Sequence, residues 1–448
     1  YTNAAGCVPG YEYDAVGNLT ATTRDVGGIN LRVEYTYDGN NRLTQTRYPN
    51  QLTETRSYNA FGELVAQCDR AGNVRHFAYD RVGRQRYAVD AEGGITGYTY
   101  DSFGNVSSKT RFAEPCNPDM TNFSTDAIEA SLQPSPHDRR DAYQYDTNHR
   151  LIESRTVLYN ATCSPTTRFT YNAFGDMLTQ SVQLTATDWA TTTHVYDQIG
   201  LRTATLNAEH YLTTYRYTAD GLLQDEIQYA NRTLDANAIP ERCDKDRHAS
   251  FEYDLNGRLT QKTLHQVRVS RLTGKSTQHE TVTRDLVSRY AYDAHGHLVS
   301  TTDPEGHTAF NYYNEAGQLT ATVGRATVTY RYDALGQLVE SHTWALGAKT
   351  ADANTFTLNN ASEKDIIRRD VYDAQGQLIE KIDGNQHVTH YTYDANGNVA
   401  RTWQKGSDKR YTYDKEQRLT QTATFDADVC VVTEDVQEHH VGGQMPPT

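Results

Sequence analysis

The sequence predicts an all-β protein, built as one continuous antiparallel strip of short β-hairpins. Three observations lead there. The motif Tyr-Asp-x-x-Gly-x-Leu recurs sixteen times, eight of its fifteen intervals fall between 19 and 21 residues, and an aromatic residue stands two positions before the motif Tyr in twelve copies. A fixed period of this length is the mark of a repeat architecture in which each unit buries its face only against its neighbours.

Counting Tyr as position 1, the motif begins at Tyr13, Tyr37, Tyr58, Tyr79, Tyr100, Tyr145, Tyr171 and Tyr196. It begins again at Tyr217, Tyr253, Tyr292, Tyr313, Tyr332, Tyr372, Tyr393 and Tyr413. Position 2 is Asp in twelve copies, among them Asp14, Asp80, Asp101, Asp254, Asp293, Asp333, Asp373 and Asp394. It is Asn in three more: Asn59, Asn172 and Asn314. Either side chain accepts a hydrogen bond from the backbone two residues on and so nucleates a turn. Position 5 is Gly in thirteen copies, including Gly17, Gly62, Gly83, Gly104, Gly257, Gly296, Gly336, Gly376 and Gly397. A hairpin loop made from a type I turn and a bulge needs one residue at positive φ, which Gly adopts without steric cost. Asn41 and His149 tolerate that conformation next best, whereas Gln417 has no such preference. Position 7 is Leu, Val or Met in all but two copies and is expected to start the returning strand on the packed side of the sheet.

Residues i and i−2 of a strand share a face, so pairs such as Tyr11/Tyr13, Tyr35/Tyr37, Phe77/Tyr79 and Tyr391/Tyr393 should place rings on one face. The expectation is a cross-strand ladder of rings, with Thr, Arg and Glu on the other face. The second turn of each unit often reads Asp-x-x-Gly, as at Asp25–Gly28, Asp69–Gly72 and Asp303–Gly306.

Composition alone points elsewhere. Leu, Ile, Val and Phe make up only about 18 % of the 448 residues and the net charge is −14, values typical of disordered chains. The periodic placement of 32 Tyr and 30 Gly overturns that reading. Such a chain buries area in thin layers rather than in one deep core. Lys and Arg are interspersed with acidic residues rather than clustered, which argues against a nucleic-acid partner. No apolar run reaches the roughly 18 residues that span a bilayer. The chain begins at Tyr1 without Met, so it is expected to be a piece of a longer polypeptide whose leader, if any, is out of view.

The organisation expected is a short end at residues 1–10, the repeat region at 11–425 and an irregular tail at 426–448. Off-period insertions at about 113–142, 231–250, 265–288 and 343–369 are read as excursions from the sheet's edges, with a short helical run at Thr125–Ala130.

These motifs resemble the Rhs/YD-repeat family: bacterial Rhs polytoxins, TccC-type components of Tc toxin complexes, wall-associated proteins and, more distantly, teneurins. The resemblance covers roughly residues 11–425. It implies that the strip curves or spirals into the wall of a hollow shell around a C-terminal toxic domain, in a secreted or otherwise exported bacterial protein. The partners it implies are flanking repeats and an enclosed toxin domain of the same polypeptide, together with a secretion or translocation component. The family's shell-closing segment around Asp-Pro-x-Gly-Leu is matched only in part by Asp303-Pro304-Glu305-Gly306-His307, which reads as an ordinary type I turn. If about 60 % of the chain is sheet, the wall covers on the order of 4,000 Å², enough for an open, curved segment rather than a roomy closed vessel.

No catalytic residue, cofactor or metal is assigned. His439-His440 after Glu438, and His295 and His297 flanking Gly296, lack the spacing of a zinc signature and read as polar turn or strand residues. Among six Cys there is no C-x-x-C, and only Cys116 and Cys163 invite the question of a pair. The alternative function is a cell-surface array that binds carbohydrate or a receptor. Against it, there are only three Trp and the ladder claims most Tyr. The turn assignment carries a direct test. Gly104→Val should destabilise its hairpin by roughly 1–3 kcal/mol in denaturant titrations, because a β-branched residue resists positive φ.

Overall fold

The motif's turn chemistry fixes the backbone first. A computed structural model describes residues 9–24, 30–115, 124–133, 135–157, 164–272, 279–425 and 430–431. In all sixteen motif turns the position-5 N–H donates to the position-2 carbonyl and the position-2 N–H donates to the position-6 carbonyl. In all sixteen, position 5 lies at positive φ, Gly104 at +90° among them. A Cβ at Gly104 would meet nothing within 4 Å, so the cost of Val there is backbone strain alone. Gln417, which its side chain does not favour, also adopts φ 64°. The two backbone bonds of the turn override the weak preference of one residue. Each motif hairpin then carries a bulge beside the motif Tyr: Tyr13 pairs with Leu19 but Glu12 with Ala21, and the same step recurs along the chain. In five hairpins the extra residue is a Thr whose hydroxyl donates to a carbonyl across the bulge, as Thr44 does to Thr36.

From these hairpins comes one antiparallel sheet of 33 strands, in which consecutive strands pair in sequence order. It is a pure meander. The first strand, Gly10–Tyr13, and the last, Cys430–Val431, each have a single neighbour, so the ladder does not close on itself. Pairing between successive hairpins stops short of the motif turn. Between strands Leu43–Arg47 and Thr53–Tyr58 it ends at Gln45 and Thr55, which leaves the Leu43 carbonyl without a ladder donor. The motif tyrosine supplies that donor: the Tyr58 hydroxyl reaches the Leu43 carbonyl at 3.1 Å. Thirteen of the sixteen motif tyrosines bond in this way to the position-7 carbonyl of the preceding copy.

The expected ladder of stacked rings is not what forms. Motif tyrosines lie on alternate strands, roughly 9–10 Å apart at the usual strand spacing, too far for ring-on-ring contact. At five of these gaps the position-6 side chain of the preceding turn covers the ring. Arg42, Arg84, Arg150 and Arg258 cover Tyr58, Tyr100, Tyr171 and Tyr292 at 4.5–4.9 Å, and the His297 ring stacks on Tyr313 at 4.7 Å. At four of these tyrosines a cation–π contact stands where the aromatic pair was expected.

The packed side also differs from expectation. Position-7 Leu side chains share the tyrosine face and, Leu419 apart, stay half-buried, whereas the deeply buried apolar residues of the sheet alternate onto the opposite face. They are concentrated under the insertions. The helix Thr125–Ser131, capped by the Ser124 hydroxyl, seats Ile128 on Ala78, Tyr87, Val89 and Ile95. Ala236, in the second insertion, caps Ala204, Leu206, Leu212 and Tyr229. A small hairpin, Ala348–Ala351 with Phe356–Leu358, brings Phe356 within 4.5 Å of the Tyr312 ring, and that hydroxyl donates to the Asp352 and Thr355 carbonyls. The insertion at 265–288 takes another course. It lengthens two strands, Leu259–Leu272 and His279–Tyr292, to 14 residues each. The turn at Asp25–Gly28, Cys116, Cys163, Glu438, His439, His440 and nearly all of the 426–448 tail lie outside the described residues.

If the tyrosine hydroxyl closes the gap between hairpins, Tyr100→Phe should cost about 0.5–1.5 kcal/mol, the usual net worth of one hydrogen bond. Tyr13 is 62 % exposed and makes no such bond, so Tyr13→Phe should leave the denaturation midpoint in place.

Candidate functional site: turn edge and seam

The strip has two edges, one formed by the motif turns and one by the second turns. Along the motif edge the position-2 carboxylate organises each loop. Asp14 Oδ1 accepts the N–H groups of Val16 and Asn18 at 3.0 and 2.8 Å, and its Oδ2 accepts the Asn18 side-chain amide at 2.8 Å. Positions 2 and 6 are chemically complementary. Asp38, Asp80, Asp146, Asp254 and Asp414 face Arg at position 6, with nitrogen–oxygen distances of 2.6–2.8 Å. Where position 2 is Asn the polarity reverses, and Asn59, Asn172 and Asn314 donate to Glu63, Asp176 and Gln318. This exchange was present in the sequence and could have been found by comparing positions 2 and 6.

Position 6 also reaches onward. The Arg42, Arg150 and Arg258 guanidinium groups donate to the carbonyls of Asn59, Asn172 and Asp293 in the following turn, and the Gln318 and Gln337 amides do the same to Gly336 and Gly376. Asp38, Asp146 and Asp254 are held below the usual carboxylate range, first by the backbone N–H of their Arg, against the opposing loss of hydration, and then by its guanidinium. Their stabilisation is therefore present above the unfolded carboxylate value near ~4 and is lost only as pH falls through the depressed value.

The two edges meet. Asn396, in a late motif turn, donates from its side-chain amide to Asp69 Oδ2 at 2.8 Å and accepts the Ala71 N–H at 3.1 Å, while Arg70 bonds its carbonyl. One turn further on, Glu416 accepts the Ala91 N–H at 2.8 Å and pairs with Arg75, and Arg418 reaches Glu92 at 3.1 Å. The partners stand 325 to 341 residues apart in sequence. The strip therefore coils until the second-turn edge of its early part lies on the motif edge of its late part. Twenty-three sheet strands separate Asp69 from Asp394, which at ~4.8 Å each gives a circuit on the order of 110 Å and a width on the order of 35 Å. No sequence signal marks this seam, because its residues belong to turns like all the others.

One polar group on the opposite face resembles a nucleophile relay. Ser250 Oγ lies 2.8 Å from His265 Nε2, and His265 Nδ1 lies 3.1 Å from Asp285. Ser250 is a strand residue paired on both sides, so its backbone N–H serves the ladder rather than an oxyanion hole. Among the described residues no helix is long and apolar enough to cross a membrane.

Comparison with known proteins agrees with this architecture. The RHS Repeat family model matches residues 13–53, 271–308, 313–348 and 372–403. Those segments carry the turn-and-tyrosine units described above. Over those segments the chain carries the RHS repeat. Among curated relatives, double-stranded DNA deaminase toxin A of Burkholderia cenocepacia is 23 % identical over 95 % of this chain and 31 % of its own length. Toxin protein Tse5 of Pseudomonas aeruginosa is 27 % identical over 56 % of this chain and 19 % of its own. This Rhs-repeat chain thus spans less than a third of either relative. Among solved structures, the TcdB2-TccC3-Cdc42 crystal structure has the same fold, with a TM-score of 0.52 at 15 % identity over 94 % of this chain and 23 % of that one. The Photorhabdus luminescens Tc holotoxin pore gives 0.52 at 13 %, over 93 % and 22 %.

The seam rests on charged hydrogen bonds, each worth about 1.5–3 kcal/mol. Glu416→Ala should therefore speed hydrogen exchange of the Ala91 amide by about tenfold or more, at 1.4 kcal/mol per decade, while the Asp101 turn amides exchange as before.

Proposed function

We propose that this Rhs-repeat chain is a non-catalytic scaffold, the wall of a β-shell that encloses and protects a toxin segment of the same polypeptide until delivery. The observation that carries this reading is the seam. A strip whose edges hydrogen-bond after one circuit forms a continuous barrier, whereas an array built to display binding sites gains nothing by joining its own edges. The names of the curated relatives, both toxins, support it, as does the fold shared with components of Tc toxin complexes. Among the described residues buried apolar side chains form two small clusters rather than one deep core, which suits a wall with two faces to keep wet.

The test is limited proteolysis of the full natural polypeptide. Closure worth 1.4 kcal/mol or more should make the segment C-terminal to the repeats at least about tenfold slower to cut than the same segment expressed alone. Glu416→Ala should erase part of that protection. Equal cutting in the two settings would overturn the proposal, as would micromolar glycan binding by a polypeptide that encodes no toxin.

A further inference from the structure

We infer that the motif turn Asp293-Ala294-His295-Gly296-His297 is a binding site for a borderline divalent metal ion, Zn²⁺ in the first instance. Its three candidate ligand atoms, one each from Asp293, His295 and His297, lie within 4.8 Å of one another, the only such group of three among the described residues. Two imidazoles and one carboxylate are the donor set that Zn²⁺ takes with a water in its fourth position.

The motif itself prepares two of the three ligands. Asp293 Oδ1 accepts the His295 and His297 N–H groups at 2.9 and 2.8 Å, which fixes the carboxylate and leaves Oδ2 turned towards His297. The His297 ring is clamped by Tyr313, 4.7 Å away and 19° from parallel, and its Nδ1 lies 2.9 Å from Asp293 Oδ2. A metal ion would bridge those two atoms in place of their direct contact. The third ligand, His295, is exposed, with its ring 5.9 Å from that of His297. Ligand atoms of a tetrahedral zinc site stand roughly 3.3 Å apart for bonds of about 2.0–2.1 Å. Rotation of the exposed His295 side chain covers the difference without moving a strand.

Two other turns pair Asp with His at the same spacing and serve as internal comparisons. At Asp303 and His307, Arg325 lies 3.1 Å from the carboxylate, so a cation already occupies that place. At Asp383 and His387, position 4 is Asn385, which leaves two ligands. Only the 293–297 turn puts imidazole at both positions 4 and 6.

The test is calorimetric titration of the metal-free chain with ZnCl₂, in a background where His439→Ala and His440→Ala remove the neighbouring His pair from the count. One strong site per chain is expected. Asp293→Asn keeps the turn, since Asn59, Asn172 and Asn314 hold the same position, yet removes the carboxylate. That variant and His295→Ala should each weaken the site by about 10- to 100-fold with circular dichroism unchanged. His387→Ala should leave it intact. Absence of Zn²⁺ binding, binding unaffected by Asp293→Asn and His295→Ala, or equal affinity for the oxygen-seeking Ca²⁺ would overturn the assignment.

Discussion

Thirteen of the gaps between successive hairpins are closed by one bond, from the phenol of a motif tyrosine to the position-7 carbonyl of the preceding copy. That bond stands where the backbone ladder stops. Within a hairpin the strands are held up to the turn, but between hairpins pairing ends two residues early, and the ring with its hydroxyl fills the opening. A carbonyl left unpaired there would cost about 1–3 kcal/mol if buried. The tyrosine satisfies it and at the same time sets the spacing. A strip spaced by rings at one edge and by ladder bonds at the other cannot lie straight, and its coiling brings Asn396 back to Asp69.

This also explains why the chain folds with so few aliphatic residues. Its layers are thin, and much of the order along the tyrosine face comes from directed contacts: phenol to carbonyl, guanidinium over ring, carboxylate to turn amide. Among the described residues the two clusters of buried apolar side chains lie beneath insertions, as Ile95 does under the helix and Leu212 near Ala236. The first two insertions are therefore local lids that complete small cores on the face the tyrosines leave free, whereas the one at 265–288 extends the sheet itself. Under the first of them the Tyr87 hydroxyl donates to Glu129 at 2.9 Å, and burial first, then that carboxylate, pushes the phenol up to about 12.

The turns were legible because their requirements are local. Asp at position 2 and Gly at position 5 answer to backbone geometry within four residues, and even Gln417 follows its neighbours. The tyrosine's role was legible only in part. Alternation tells which face a ring occupies, but not that its hydroxyl has a partner on the preceding hairpin. The covering of Tyr58 by Arg42 was hidden for the same reason, since nothing within one motif says which ring its position-6 side chain will meet. The face that packs was misread because Ala78, Val89 and Ile95 look unremarkable until the helix at 125–131 is placed above them. The seam was illegible altogether. Its partners are separated by more than 320 residues, and the circuit length that joins them depends on strand spacing and splay, which no single motif encodes.

The account stands on a strip that coils until its edges meet, and a distance measurement tests that most directly. Spin labels at Ala71→Cys and Lys415→Cys, in a background without other cysteines, flank the seam without replacing its bonded side chains. The account predicts one short distance, set by the label tethers, that lengthens on Glu416→Ala. A distance approaching the ~120 Å that the 25 sheet strands between the labels would span at ~4.8 Å each in an open strip would contradict it.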